Sequence, residues 1–547
     1  MSPVPAFPEY TGPFKVGSVD VEIPVAQLDA PSPAPPSAAA DVSTVLFRIF
    51  YPAVPESAEK RISWLPDPQR SHVSALLKFL GIGPAVAETL SYLPRHLNYT
   101  SIPAHKNARL READTESRRW PTMIFSHGLG SSRNSYSYIA GSLASHGVVV
   151  VCPEHRDGSA IVSFVRYSDD PHGRHTAVPF EKISHDTSPQ VNEARERQLR
   201  VRLWEMGLVH DALLAMDSGR DVANWNRSTP SLKQFEGRLD IWEPGRIIFA
   251  GHSFGAATVV QFLKSVYYAE RLEAQGPAKS LFRPARDSSI RRQVTEKSVT
   301  MLLDMWCAPL LMPSAAALFE LPLPLYADVP TAAGGGALLA VESEAFFKWT
   351  EHLHAKARLL TPDPSASTVT ARMYERPGGV RLREPNFFYV VNSAHLSQSD
   401  FGILFPWLTK KFFDAEQPER ALRLNLRAQL QLLRTNGVPV ARTCASDLVD
   451  GVHVDKLDPK SDDDDGDGIS NDEAIFDRSG HDAVAFWKHI DMVGMGNAGE
   501  TETGKTVAKQ VEEGEEQTKG QLEPSEQKPA SPAAQTLLAA GAPAASR

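Results

Sequence analysis

Cysteine is scarce in this sequence. Cys152, Cys307 and Cys444 are the three in 547 residues. An odd, sparse set makes no disulfide framework and fits a reducing compartment. No uninterrupted apolar run approaches the roughly 18–20 residues that cross a bilayer as a helix. The opening Met1-Ser2-Pro3-Val4-Pro5 has neither the charged segment and apolar run of a secretory leader nor the Met-Gly start that myristoylation requires. We therefore expect a cytoplasmic location, free or in peripheral contact with a membrane. A basic stripe is missing too. The net charge is −9, which argues against a nucleic-acid partner.

What is present is ordinary globular composition, with 42% hydrophobic and 22% charged residues, enough for a sizeable core. Charge is unevenly spread. Residues 445–547 hold 22 acidic and 9 basic side chains, a net of −13, which leaves +4 for residues 1–444. We expect residues 496–547, without aromatics and rich in Glu, Gln, Ala and Pro, to be disordered, because they can bury too little apolar surface to offset ordering. Residues 441–495 read as an acidic linker with a short helix. Within it, Asp463, Asp465 and Asp467 stand at positions 1, 3 and 5 of a candidate calcium loop, with Gly468 at 6 and Asn471 at 9. Position 12, which needs a bidentate carboxylate, is Ala474, and Glu473 falls one residue early. A solvated acidic linker is the stronger expectation, and no metal is required by the pattern.

Residues 1–440 read as one catalytic body, with a Pro/Ala-rich loop at 28–41 and insertions at 160–190 and 221–240. Phe14–Ile23 and Thr44–Tyr51 are strand-like. Residues 71–96 form an apolar helical segment, a core or lid helix or else a surface facing a membrane or an acyl chain. From there strands and helices alternate. Met123–Ser126, Val148–Cys152, Arg246–Ala250, Val299–Leu303, Ala337–Val341 and Asn386–Val391 are short apolar runs, and residues 136–146 and 192–217 are helical. Such alternation predicts an α/β fold with a mostly parallel central sheet and helices on both faces.

The chemistry gathers around Gly251-His252-Ser253-Phe254-Gly255. It follows the strand Arg246–Ala250 and precedes the helical run Ala256–Leu263. A serine in a tight strand–turn–helix bend, with small residues on either side, is lifted above the sheet edge as a nucleophile. A serine hydroxyl needs a base, and the base an orienting carboxylate, in the order Ser, Asp/Glu, His for this α/β-hydrolase arrangement. Asp304 follows the strand Val299–Leu303, and His395 follows Asn386–Val391 after a short turn. Asp328 and Asp400 compete as the acid, and His352 and His354 as the base, though both histidines lie in a helical pattern. The oxyanion hole requires two backbone N–H groups, and the candidates are Phe254 and Leu129. Leu129 lies in Ser126-His127-Gly128-Leu129-Gly130, after an earlier strand. Glu154-His155-Arg156-Asp157 reads as a charged brace for its loop rather than a second site.

Taken together, Phe125–Gly130, Leu143–Gly147, Glu154–Asp157, Gly251–Gly255, Leu303-Asp304-Met305-Trp306 and Ser393-Ala394-His395 resemble the platelet-activating factor acetylhydrolase family of plasma and intracellular isoform II type. Gly12–Gly17 and Phe47–Pro52 resemble its opening, and Leu422–Leu433 its last helix. The resemblance spans roughly residues 8–436. It implies an α/β-hydrolase that cleaves the acetyl, short or oxidised acyl ester at the sn-2 position of phospholipids, independently of calcium and without a cofactor. It places the nucleophile, acid and base on Ser253, Asp304 and His395, and the oxyanion donors on Leu129 and Phe254. The chain departs from the family in its insertions, its C-terminal extension and the continuation Gly255-Ala256-Ala257. The expected partner is a phospholipid substrate, met at a membrane interface, and the pattern sets no oligomeric state. A general short-chain carboxylesterase or lipase of the same fold, or a catalytically silent lipid-binding scaffold, are the alternatives.

Overall fold

Short β-branched runs that are apolar at every position can satisfy their side chains only where both faces of a sheet are covered, and they assemble here into a 12-stranded sheet. The computed structural model describes residues 6–36, 42–92, 96–166, 175–186, 188–229, 231–274, 280–406, 410, 417–448, 468–479 and 483–496. The strands are β1 (Lys15–Pro24), β2 (Thr44–Ala53), β3 (Arg61–Ser63), β4 (Ser101–Lys106), β5 (Trp120–Ser126), β6 (Val149–Pro153), β7 (Ile248–His252), β8 (Thr300–Leu303), β9 (Leu338–Ser343), β10 (Asn386–Val390) and β11 (Trp487–His489). Their spatial order is β11-β10-β9-β8-β7-β5-β6-β2-β1-β4-β3, with the two-residue strand Leu239–Asp240 paired to the start of β5. From β6 through β5, β7, β8 and β9 to β10 every pairing is parallel. The margins carry the antiparallel pairs β2–β6, β1–β2, β3–β4 and β10–β11.

The two-residue period of the strands divides the core in two. Ile124, Phe249, Leu302, Ala340 and Phe387 face one apolar layer. Met123, Phe125, Ala250, Leu303, Val341 and Phe388 face the other. The principal helices are α1 (Gln69–Phe79), α2 (Pro84–Ser91), α3 (Ser137–Ser145), α4 (Pro189–Asp217), α5 (Phe254–Tyr267), α6 (Thr350–Leu360) and α7 (Pro418–Thr435). Helices α4, α5 and α6 cover the first layer, and α3 and α7 the second. The mostly parallel sheet with helices on both faces is the architecture expected from the alternation of the sequence.

Two stretches differ from that expectation. The segment 160–190 holds an antiparallel hairpin, Val162–Arg166 with His175–Pro179, and then the first turn of α4. More consequentially, the chain does not leave the fold at residue 440. Thr443–Cys444 pairs with Gly468–Ile469, and β11 extends the main sheet. Ile475, Val484, Trp487, Ile490 and Met492 are buried. Apolar residues spaced through an acidic background supply this second layer of contacts, which net charge conceals. The calcium-loop candidates Asp463, Asp465 and Asp467, and residues 497–547 of the expected disordered tail, lie outside the described residues. Among the described residues no helix is long and apolar enough to cross a membrane.

Candidate active site

Ser253 stands at the junction of β7 and α5 with φ 56° and ψ −121°, a backbone conformation that a non-glycine residue holds only where its surroundings over-determine it. They do so here. Its N–H donates to Leu303 O at 2.9 Å, and its carbonyl accepts from Ala256 N–H at 3.1 Å and Trp306 N–H at 3.2 Å. The flanking glycines are dictated by contact. A Cβ on Gly251 would lie 2.6 Å from the Gly255 carbonyl carbon, and one on Gly255 would lie 2.0 Å from Ser126 O. The turn can close only because neither side chain exists.

The structure brings three of the residues chosen from the sequence into one chain of hydrogen bonds. His395 Nε2 lies 3.0 Å from Ser253 Oγ, and His395 Nδ1 lies 3.0 Å from Asp304 Oδ2. A carboxylate only accepts, so the Nδ1 position carries the proton and Nε2 is left to accept from the serine. Asp304 sits just past β8, fully buried, and its other oxygen accepts from Ser343 N–H at 2.5 Å. The imidazole is clamped on both sides. Phe346 stacks on it at 4.3 Å with an interplanar angle of 3°, and His252 lies at 4.4 Å on the other side. Burial and the nearby His395 hold His252 well below the ordinary histidine range, so it is a neutral neighbour that does not oppose charge on His395.

Behind the carboxylate is an arrangement that no motif announced. Glu342, at the end of β9, and Lys356, on α6, form a buried ion pair. Burial raises Glu342 to about 8, with Lys356 opposing the shift and Asp304 adding to it. Lys356 thus neutralises a carboxyl group that itself stands against Asp304. The one available signal was a glutamate continuing the apolar strand Leu338–Val341.

The competing candidates are occupied elsewhere. Asp400 accepts from Ser137 N–H, Tyr138 N–H and Ser137 Oγ at the start of α3 and from Trp64 Nε1, at 2.6–3.0 Å. Burial raises it to about 6, and it serves as a helix cap. Asp328 is exposed and accepts from Gly378 N–H. His352 Nε2 accepts from Cys307 N–H at 3.0 Å, and His354 Nδ1 bonds to Gly496 O at 3.0 Å.

The loop carrying Leu129 backs onto the serine: a Cβ on Gly128 would approach Ser253 Cβ to 3.1 Å. Neither Leu129 N–H nor Phe254 N–H bonds to a protein acceptor among the described residues. The loop is held from beneath by α4. Arg202 Nη1 donates to His127 O at 2.9 Å and Arg202 Nε to Asp157 Oδ2 at 2.9 Å. Glu205 bonds His155 Nδ1 and Arg156 Nε, both at 2.9 Å, and His155 Nε2 reaches Ser126 Oγ at 2.9 Å. Arg133 joins the same loop to Glu154 and to Asp20 of β1. The segment Glu154–Asp157 is thus a brace, but its partners on α4 were not legible in sequence. Tyr136 completes the support: its hydroxyl accepts from Gly128 N–H at 3.1 Å and lies 2.7 Å from His252 Nδ1. Above the loop, the Phe79 ring of α1 stands over Gly130 and packs edge-on against Phe180 at 5.2 Å.

The chain is similar to known proteins. A family model described as platelet-activating factor acetylhydrolase, isoform II, matches residues 1–310, which include the serine turn and Asp304. A Schizosaccharomyces pombe protein named "Putative phospholipase A2" is 28% identical over 79% of this chain and 92% of its own length. Platelet-activating factor acetylhydrolases of Cavia porcellus and Bos taurus are 30% and 32% identical, over 47% and 40% of this chain. The matches span 52% and 46% of those two proteins, so the chain aligns with about half their length. A ferulic acid esterase structure from Streptomyces cinnamoneus aligns over 79% of this chain and 92% of its own, with 15% identity and a TM-score of 0.42. With more than half its length matched by the family model, the chain belongs to the platelet-activating factor acetylhydrolase, isoform II, family.

Proposed function

We propose that the chain is a serine esterase that releases an acetyl or other short or oxidised acyl group from the sn-2 position of phospholipids. The observation that carries this reading is the hydrogen-bonded chain from Ser253 through His395 to buried Asp304, in a member of this family. In the proposed mechanism His395 Nε2 takes the hydroxyl proton as Ser253 Oγ attacks the ester carbonyl. The N–H groups of Leu129 and Phe254 receive the charge that develops on the carbonyl oxygen. Such donors are each worth roughly 3–4 kcal/mol in the transition state. His395 returns the proton to the departing lysophospholipid alcohol. Water, deprotonated by the same histidine, then frees the carboxylic acid from Ser253. Asp304 holds the tautomer and the charge of the imidazolium.

The exposed aromatic and aliphatic side chains Phe79, Val86, Tyr92 and Tyr99, grouped around α1 and α2, support peripheral contact with a phospholipid surface, with Phe79 at the rim of the site. The test compares wild type with Ser253→Ala on a phospholipid bearing an sn-2 acetyl group and on its long-chain analogue, with a chelator present. Serine-dependent release of acetate alone is the expected result. Cleavage of simple aryl esters with neither phospholipid attacked would replace the substrate assignment by a general carboxylesterase.

A further inference from the structure

A second cluster of chemically active side chains lies away from the serine, where the C-terminal segment returns to the body of the fold. His146 terminates α3, and Cys444 and Asp447 lie just after the point at which Ala441 N–H bonds to His146 O at 2.8 Å. His146 Nε2 is 3.9 Å from Cys444 Sγ and 3.8 Å from Asp447 Oδ2, and ligand atoms of all three fall within 4.8 Å of one another. His146 and Asp447 are buried, and Cys444 is partly exposed.

A cysteine, a histidine and an aspartate in proximity suggest either a nucleophilic triad or a metal centre, and the geometry separates them. In a triad the acid orients the imidazole from the nitrogen opposite the thiol. Here thiol and carboxylate face the same nitrogen, Nε2, while Nδ1 is engaged with Ser142 O at 2.9 Å. That contact makes Nδ1 the protonated nitrogen and turns the lone pair of Nε2 toward the space between Cys444 and Asp447. A backbone carbonyl on the far nitrogen is how metal-ligating histidines are usually held. Asp447 is oriented as well: Thr11 Oγ1 donates to its two oxygens at 2.7 and 2.9 Å. Tetrahedral zinc, with bonds of about 2.0–2.3 Å, needs neighbouring donors about 3.3–3.6 Å apart. The distances from His146 Nε2 are a few tenths of an ångström longer, so metal entry draws Asp447 inward by that amount and turns Cys444 Sγ from Thr11 O, to which its thiol donates at 2.7 Å, toward the metal.

We propose that His146, Cys444 and Asp447 bind one zinc-class divalent cation in tetrahedral N/S/O coordination, with solvent in the fourth position, and so pin the C-terminal segment to α3 and the Thr11 segment. The thiolate and imidazole favour a borderline-soft ion over calcium or magnesium. Binding is redox-neutral: the Sγ–H bond of Cys444 is replaced by a sulfur–metal bond, and the proton passes to solvent.

Cobalt(II) is the probe, added to chelator-stripped full-length protein. The expected result is a stoichiometric thiolate-to-cobalt charge-transfer absorption that zinc abolishes by displacement. It should be absent in Cys444→Ser, and His146→Gln should weaken the affinity by about 100-fold or more. Aryl-ester hydrolysis reports that each variant is folded. The wild type alone supplies a second measurement, because Cys152 and Cys307 are buried: zinc should block iodoacetamide labelling of Cys444, read by mass spectrometry. No charge-transfer band in active wild type, a band that survives Cys444→Ser, or labelling unaffected by zinc would each overturn the site.

Discussion

At the scale of the residue, the demands on Ser253, His395 and Asp304 are of different kinds. The serine needs a backbone conformation, the histidine a tautomer and the aspartate a charge in a buried place. Ser253→Ala should lower kcat on an aryl ester by on the order of 10⁶-fold, to the background, with the fold intact by circular dichroism. A pH effect belongs to Asp20. Burial alone would raise this carboxyl, but the guanidinium groups of Arg133 and Arg48 outweigh it and hold Asp20 at about 2, against 3.8 for the free side chain. A carboxyl whose folded-state value is depressed contributes stability that is fully present above its unfolded value and lost as the pH falls toward the folded one. The contribution is on the order of 2 kcal/mol above pH 4. Urea unfolding of wild type and Asp20→Asn should therefore differ most at pH 6, and the difference should narrow by pH 3. A constant difference would remove the ion pairs from the account.

At the scale of the element, α4 and α1 do work that the serine turn cannot do for itself. Arg202 on α4 holds both the His127 carbonyl and Asp157, so the loop bearing Leu129 is positioned by a helix whose first residue lies 60 residues later in the chain. Arg202→Lys keeps the charge but loses the planar fork that makes these contacts at once. We expect kcat to fall by roughly 10- to 100-fold with KM little changed, since the oxyanion donors act mainly in the transition state. A KM effect with kcat preserved would assign Arg202 to substrate binding. Helix α1 presents Phe79 at the rim, 40% exposed. Phe79→Ser with Tyr92→Ser should reduce hydrolysis of a vesicle-borne phospholipid and leave a soluble aryl ester unaffected. Equal loss on both substrates would make α1 a structural lid only. Ser253 could be picked out because its turn is local, whereas the roles of Arg202 and Glu205 were hidden in an ordinary charged helix pattern.

At the scale of the molecule, the C-terminal segment is part of the sheet. Truncation after Val440 removes β11 and uncovers the β10 edge. It also takes Asp472 from Arg427, a buried pair joined at 2.8 and 3.0 Å. Leaving such a cation unpaired costs about 3–5 kcal/mol. That truncation should abolish cooperative thermal unfolding and aryl-ester hydrolysis together, whereas truncation after Gly496 should preserve both. Survival of the shorter form would make residues 441–496 an ornament of the fold, as their acidic composition had suggested.

The sequence by itself determined the parallel sheet and its order of strands and helices, because a two-residue or 3.6-residue period and a run of β-branched residues are local properties. It also marked the position of Ser253 by a Gly-x-Ser-x-Gly turn between a strand and a helix, and it singled out Asp304 and His395 by their places after strands. Only the tertiary structure decided which acid and which imidazole meet, since Asp400 and His352 are excluded by what they touch. It alone set Glu342, paired with Lys356, against Asp304, packed Phe346 and His252 against His395, and gathered His146, Cys444 and Asp447. Contacts between residues hundreds of positions apart depend on how the layers close, and no local pattern in the chain records that.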